Sequence, residues 1–147
     1  MNTLETLRLA PFNLDDKAVA WVEQTLASLS LDERLRQLFN VMQLGNAPEK
    51  AIRLAEGQPG AITRFVGPDA ASATTALQAF VSRCKVPPLV SGDLEGGAIG
   101  LACGTPLPNQ LGLAAAGDAA RTGEAVEVLA AEGRALRAGE APENIVL

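Results

Sequence analysis

Leu89-Val90-Ser91-Gly92-Asp93-Leu94-Glu95-Gly96-Gly97 is a short apolar run that passes straight into two acids and two glycines. A run of that length, bounded by turn residues, reads as a strand. The stretch before it reads as a helix. Asp69 is placed to cap residues 70–84, in which Ala73, Leu77, Phe80 and Cys84 recur at helical spacing, and Pro87-Pro88 ends the segment. Further back, residues 60–65 (Gly-Ala-Ile-Thr-Arg-Phe) form a second strand signal. Residues 48–57 read as a helix with Pro at its start and Gly at its end. Residues 38–44, closed by Gly45, read as the first strand. Short apolar strands alternating with helices predict an α/β fold with parallel pairing.

The flanks follow the same logic. Residues 14–29 predict an amphipathic helix with Ala18, Val22, Leu26 and Leu29 on one stripe, Trp21 anchoring its side and Asp15 and Asp16 in the first turn. Ser30-Leu31-Asp32-Glu33 is a capping box for a short helix that carries Leu31, Leu35 and Leu38 on one face. Residues 100–117, rich in Gly, Pro and Asn, read as a long loop in which the Asn109 and Gln110 amides satisfy backbone. Asp118 caps a last helix to about residue 138, with Ala125, Val126, Leu129, Ala130, Gly133 and Leu136 as its buried face. Gly123 and Gly133 each weaken a helix by ~1 kcal/mol, and close approach to a sheet is the expected reason for them. In the tail, only Ile145-Val146-Leu147 offers the start of a fourth strand.

Composition narrows the function classes. The chain has 147 residues, 48% hydrophobic and 20% charged, which is a globular balance with room for one core. The net charge is −5 and no Lys/Arg cluster occurs, so a phosphate backbone is not an expected partner. No apolar run approaches the ~20 residues of a membrane span. The first ten residues carry Glu5 and Arg8 and do not read as a secretory signal, which sets the expectation of a cytoplasmic protein. Cys84 and Cys103 form no C-x-x-C pattern and the chain has no His, so neither a zinc site nor another cofactor is expected. The two thiols read as buried or half-buried residues in a reducing compartment. Gly96-Gly97 is not a phosphate cradle, since no Lys-Ser/Thr follows.

Five phrases, in order, resemble glycoside hydrolase family 3. They are Leu29-Ser30-Leu31-Asp32-Glu33-Arg34-Leu35-Arg36-Gln37-Leu38-Phe39; Pro59-Gly60-Ala61-Ile62-Thr63-Arg64-Phe65; Asp93-Leu94-Glu95-Gly96-Gly97; the stretch from Gly104-Thr105-Pro106 to Ala116-Gly117-Asp118; and Glu132-Gly133-Arg134-Ala135-Leu136-Arg137. The resemblance covers roughly residues 21–138, and residues 139–147 form an atypical tail. It implies the N-terminal part of a (β/α)8 barrel, with three to four strands and their helices, not closed within this chain. The chain departs from the family at Ala98, where many members have Arg, in a short 97–104 loop, and after Gly139.

The resemblance also implies chemistry. A retaining glycosidase needs a carboxylate nucleophile and a general acid that later acts as base. In the family both lie beyond this stretch, the nucleophile an Asp and the acid/base a His or a Glu by branch, so no catalytic residue carries over. Asp93 does carry over: it matches the aspartate that binds hydroxyls of the sugar in the first subsite. An ionised carboxylate only accepts, which suits two sugar O–H donors. The bland alternative is an Asp that caps a turn. Glu95 either joins Asp93 on one strand face or holds the loop, the structural reading being favoured. Arg64 either reaches the pocket or is a solvated strand end. The function so implied is a β-N-acetylhexosaminidase-like hydrolase acting on carbohydrate, as in cell-wall recycling. A β-glucosidase or a non-catalytic sugar-binding relative is the alternative. The chain alone is expected to be inactive, and either poorly folded or held together by self-association through its open sheet edges, residues 38–44 or 89–93.

Overall fold

The capping box forms as its spacing predicts: Glu33 N donates to Ser30 Oγ at 3.2 Å, and Ser30 N to Glu33 Oε2 at 2.7 Å. The computed structural model describes residues 3–94 and 100–138. They divide into two units between Arg36 and Gln37. The first unit holds α1 (Thr3–Thr6), α2 (Asp16–Ser28) and α3 (Leu31–Arg36). Asp15 caps α2, its carboxylate accepting from Ala18 N at 2.8 Å. Val19 and Leu29 are its buried residues, and Ala18 and Val22 are half-buried. The expected anchor, Trp21, is 50% exposed, and Leu26, Leu31 and Leu35 are exposed as well. An apolar stripe is buried only where another element covers it, and periodicity alone does not say where that is.

The second unit runs β1 (Asn40–Leu44), α4 (Pro48–Glu56), β2 (Ala61–Phe65), α5 (Ala70–Val81), β3 (Leu89–Gly92), α6 (Gln110–Ala115) and α7 (Ala119–Ala138). The three strands are parallel, in the order β1-β2-β3. One face of the sheet packs under α4 and α5 around Ala51, Ala55, Ile62, Ala76 and Phe80, all fully buried. The alanines let the helices settle close to the strands. Phe80 and Ile62 supply the bulk, each stabilising by ~1.5–3 kcal/mol on burial. The α5 stripe is borne out, with Ala73, Leu77 and Phe80 buried and Cys84 half-buried.

Strand alternation sends Val41, Gln43, Ile62, Arg64 and Val90 to this helix side. The opposite face carries Asn40, Met42, Leu44, Thr63, Phe65, Leu89 and Ser91. Met42 and Leu44 there are 59% and 60% exposed. The sheet is therefore open, as expected of part of a barrel, with one face covered and the other bare.

Four expectations are corrected. α5 ends at Val81, earlier than Cys84, because Arg83 N and Cys84 N turn back to Phe80 O and Val81 O in a tightened last turn. The stretch after Gly100 is not all loop: Asn109 caps α6, accepting from Gly112 N at 3.0 Å. Gly57 closes α4 as expected, in a right-handed conformation, and the left-handed residue after it is Gln58, at φ 48°. The Gln58 amide offsets that strain by donating to Ala55 O and Arg83 O and accepting from Lys85 N, at 2.7–2.9 Å. On α7, Leu129 is buried and Ala125 and Ala130 half-buried, but Val126 is exposed. A Cβ at Gly123 would meet nothing within 4 Å, and one at Gly133 would lie 3.7 Å from Leu94 Cδ1, so among the described residues neither glycine is set against a sheet strand. The possible fourth strand, at residues 145–147, lies outside the described residues.

Two glycine substitutions should move stability in opposite directions. A Cβ at Gly100 would lie 1.3 Å from Asp93 O, so Gly100→Ala should cost on the order of 3 kcal/mol in urea unfolding. Gly123→Ala should raise stability by up to ~1 kcal/mol, since it gains helix propensity in open space.

Candidate functional site

β3 stops at Gly92, and Asp93 follows it directly at the C-terminal end of the parallel sheet, half-buried. The register that pairs Arg64 with Gly92 would set Val66 beside Leu94 if the strand ran on. Instead Val66 bridges Leu101: Val66 N donates to Gly100 O at 2.8 Å, and Ala102 N to Val66 O at 2.9 Å. The chain leaves the sheet at Asp93 and rejoins it at residues 100–102, in the place β3 would have filled. The described chain thus narrows to a neck there. Asp93 and Gly100 meet in it, and only a glycine fits against the Asp93 carbonyl. Leu94, next along, turns to an apolar cavity of about 270 Å³ that Leu113 of α6 and Leu129 of α7 also line. Glu95 and residues 96–98 lie outside the described residues.

Other contacts at this end of the sheet hold the loops to one another. Asn46, just past the left-handed Gly45, donates to Asp69 O at 2.8 Å and Ser72 Oγ at 3.0 Å, and accepts from Gly67 N at 2.9 Å. Asp69 caps α5 as expected, and the Ser72 hydroxyl and N–H that bond it hold its carboxyl below the usual range. Sequence reading assigns Asn46 no role, and its only local signal is an Asn directly after a Gly turn.

Arg64 is not a solvated strand end. It is 6% exposed, on the helix side, and its guanidinium donates to Ala73 O at 2.6 Å. Beside it in register on β1, Gln43 is 1% exposed, with no hydrogen bond to either end of its carboxamide among the described residues. A buried amide in that state costs ~1–3 kcal/mol. Sequence reading missed it because Gln43 sits inside an apolar run and nothing local sets its direction.

On the open face a row of polar side chains crosses all three strands. Asn40 Nδ2 donates to Thr63 Oγ1 at 2.8 Å, Thr63 Oγ1 and Ser91 Oγ are 2.9 Å apart, and Ser91 Oγ reaches Ile62 O at 3.5 Å. One assignment satisfies every hydroxyl: Asn40 to Thr63, Thr63 to Ser91, Ser91 to the carbonyl. This row was also missed, since it joins residues far apart in the chain.

The 104–118 phrase is tied to α7 by Glu132, whose carboxylate accepts from Thr105 N at 2.7 Å and Thr105 Oγ1 at 2.5 Å. Gly104 makes the room: a Cβ there would lie 2.8 Å from Glu132 Oε2. Cys84 and Cys103 are free and half-buried, and burial pushes the Cys84 thiol up to about 11, so it stays protonated at neutral pH.

No family model matches the chain. It is 43% identical over 95 residues to a beta-N-acetylglucosaminidase/beta-glucosidase of Cellulomonas fimi, an alignment covering 63% of this chain and 16% of that protein. Among solved structures it is similar to the beta-glucoside phosphorylase BglX bound to 2FGlc, at TM-score 0.63 and 30% identity, covering 78% of this chain and 21% of that one. A second structure of that phosphorylase gives a TM-score of 0.59 over 20% of its length. The chain spans about a sixth to a fifth of the proteins it matches. Sequence and fold thus both support the resemblance drawn from the five phrases.

The Glu132 contact carries a pH signature. The Thr105 hydroxyl and N–H favour the ionised carboxylate and lower its pKa from the ordinary 4.5. A lowered folded pKa adds stability above the unfolded value, and that stability is lost as pH falls through the folded one. The gap in urea midpoint between wild type and Glu132→Gln should therefore be full at pH 6 and shrink steadily below pH 4.5.

Proposed function

We propose, from its resemblance to the N-terminal part of glycoside hydrolase family 3, that this chain supplies the first-subsite sugar-binding part of a retaining β-glycosidase. The N-acetylhexosaminidase type is the leading reading and a β-glucosidase the alternative. The observation that carries the proposal is the match to the C. fimi protein, joined to the D-x-E-G-G phrase that begins at the neck beyond β3. In β/α barrels the C-terminal ends of strands build the site. Asp93 is at such an end, directly after β3 and half-buried. Its carboxylate there accepts from two adjacent sugar hydroxyls. Arg64, turned to the helix side, is assigned no sugar contact, and Glu95 is assigned to holding the loop.

The nucleophile and the acid/base are expected in segments this chain lacks. A phosphorylase is a second reading, favoured by the structural neighbours. It would share the Asp93 contact and differ in the acceptor, phosphate in place of water, and assays with and without phosphate separate the two.

Two outcomes test the proposal. The chain alone should show no hydrolysis of aryl β-N-acetylglucosaminide or aryl β-glucoside above background, because losing one catalytic group already costs orders of magnitude. Titration with methyl β-glycosides, followed by NMR, should show binding that Asp93→Ala removes. Equal binding by the Asp93→Ala chain would sink the assignment.

The bare sheet face and edges should also make the isolated chain associate. Leu38, Phe39, Met42, Leu44 and Leu89 are all exposed, and each such side chain forfeits ~1.5–3 kcal/mol of burial against a total of ~5–15 kcal/mol. Light scattering should find oligomers or aggregates. Leu44→Lys, on the open face of edge strand β1, should shift them toward monomer. A sharp wild-type monomer with concentration-independent unfolding would mean that the sheet needs no cover.

A further inference from the structure

We propose that Thr63 is a positioning residue for the Asp93 carboxylate, acting through Ser91. The inference rests on the sugar-binding reading of Asp93 and adds how that side chain is kept in place. β3 has four residues, and the backbone bonds that define it run to β2. Ser91 lies two residues before Asp93, and the residue between them, Gly92, ends the strand and has no side chain. Ser91 is thus the last side-chain anchor before the acid. Its hydroxyl is fixed by Thr63 at 2.9 Å, and Thr63 is fixed by Asn40 at 2.8 Å, so the row ties the end of β3 to both other strands. Past the acid, the tie is of a different kind: Gly100 packs against the Asp93 carbonyl. The row thus holds Asp93 from the strand side and the neck holds it from the loop side.

The rest of the open face argues that the polar row is there for a purpose. Met42, Leu44, Phe65 and Leu89 are apolar, as a face destined for cover should be, and Asn40, Thr63 and Ser91 interrupt it as one bonded group, Thr63 and Ser91 side by side in register and Asn40 reaching Thr63 diagonally. Thr63 is the member that touches both of the others, so it is the one whose loss uncouples β3 from β1. A hydroxyl pair on a sugar is read by a carboxylate only when both oxygens are aimed. A β3 end free to shift would blur that aim without unfolding the sheet.

The test is NMR on the labelled full chain. Three-bond Hα–Hβ couplings report the Asp93 rotamer, and urea unfolding is measured in parallel. Wild type should show one rotamer. Thr63→Val keeps the shape and removes the hydroxyl, and should give averaged Asp93 couplings while β2 keeps its strand shifts. Thr63→Ser should restore the wild-type values. Ser91→Ala breaks the same link at an exposed position and should match Thr63→Val, which covers the case in which the valine variant does not fold. Titrated with methyl β-D-glucopyranoside, Thr63→Val should bind about fivefold more weakly. Wild-type couplings in both Thr63→Val and Ser91→Ala overturn the proposal, even if urea stability falls, because that pattern is one of sheet stability alone. If Asp93→Ala binds the glycoside as wild type does, the sugar-binding reading fails, and the couplings still decide the role of Thr63.

Discussion

β2 is bonded on both sides, and the larger unit depends on that. Its N–H and C=O groups pair with β1 and β3 in one parallel register, and Ile62 at its middle is fully buried under α4 and α5. Parallel strands are slightly weaker per residue than antiparallel ones and need a covered face. Here the cover is made of alanines on the helices with Phe80 as the filler. The strand that carries most of the pairing also sends Thr63 to one face and Arg64 to the other. The open-face row and the buried guanidinium therefore share one backbone.

What the sequence made legible was the part decided locally. Ser30, Asp69 and Asp118 announce helix starts because an N-cap needs only a short side chain and the N–H groups two or three residues on, and Asp15, expected in a first turn, is itself such a cap. Strand positions were legible because apolar runs closed by Gly or Pro are short. Burial was less legible. Trp21 and Val126 sit in convincing patterns and remain exposed, because periodicity fixes which residues share a face but not whether anything lies against it. α6 was hidden for a different reason: it has six residues, too few to show a period, inside a phrase rich in Gly and Pro.

At the candidate site, one position was legible and its surroundings were not. That Asp93 stands directly after a strand could be read from the apolar run that precedes it. Asn46, Gln43 and the Asn40–Thr63–Ser91 row could not, since each acts across strands or loops separated by tens of residues. Arg64 shows the limit most plainly. A lone cation near a strand end has two ordinary readings, and the parity that sends it to the helix side, where Ala73 O accepts from it, comes from the sheet as a whole.

The neck at Asp93 and Gly100 bears on how such a loop can vary. Because the chain departs from the sheet and returns to it beside the same strand, residues gained or lost between those two points leave the alignment of β2 with its neighbours untouched. Loop closure costs little per added residue. The acid and the glycine are a fixed mount, and the number of residues between them can change without disturbing the sheet they are mounted on.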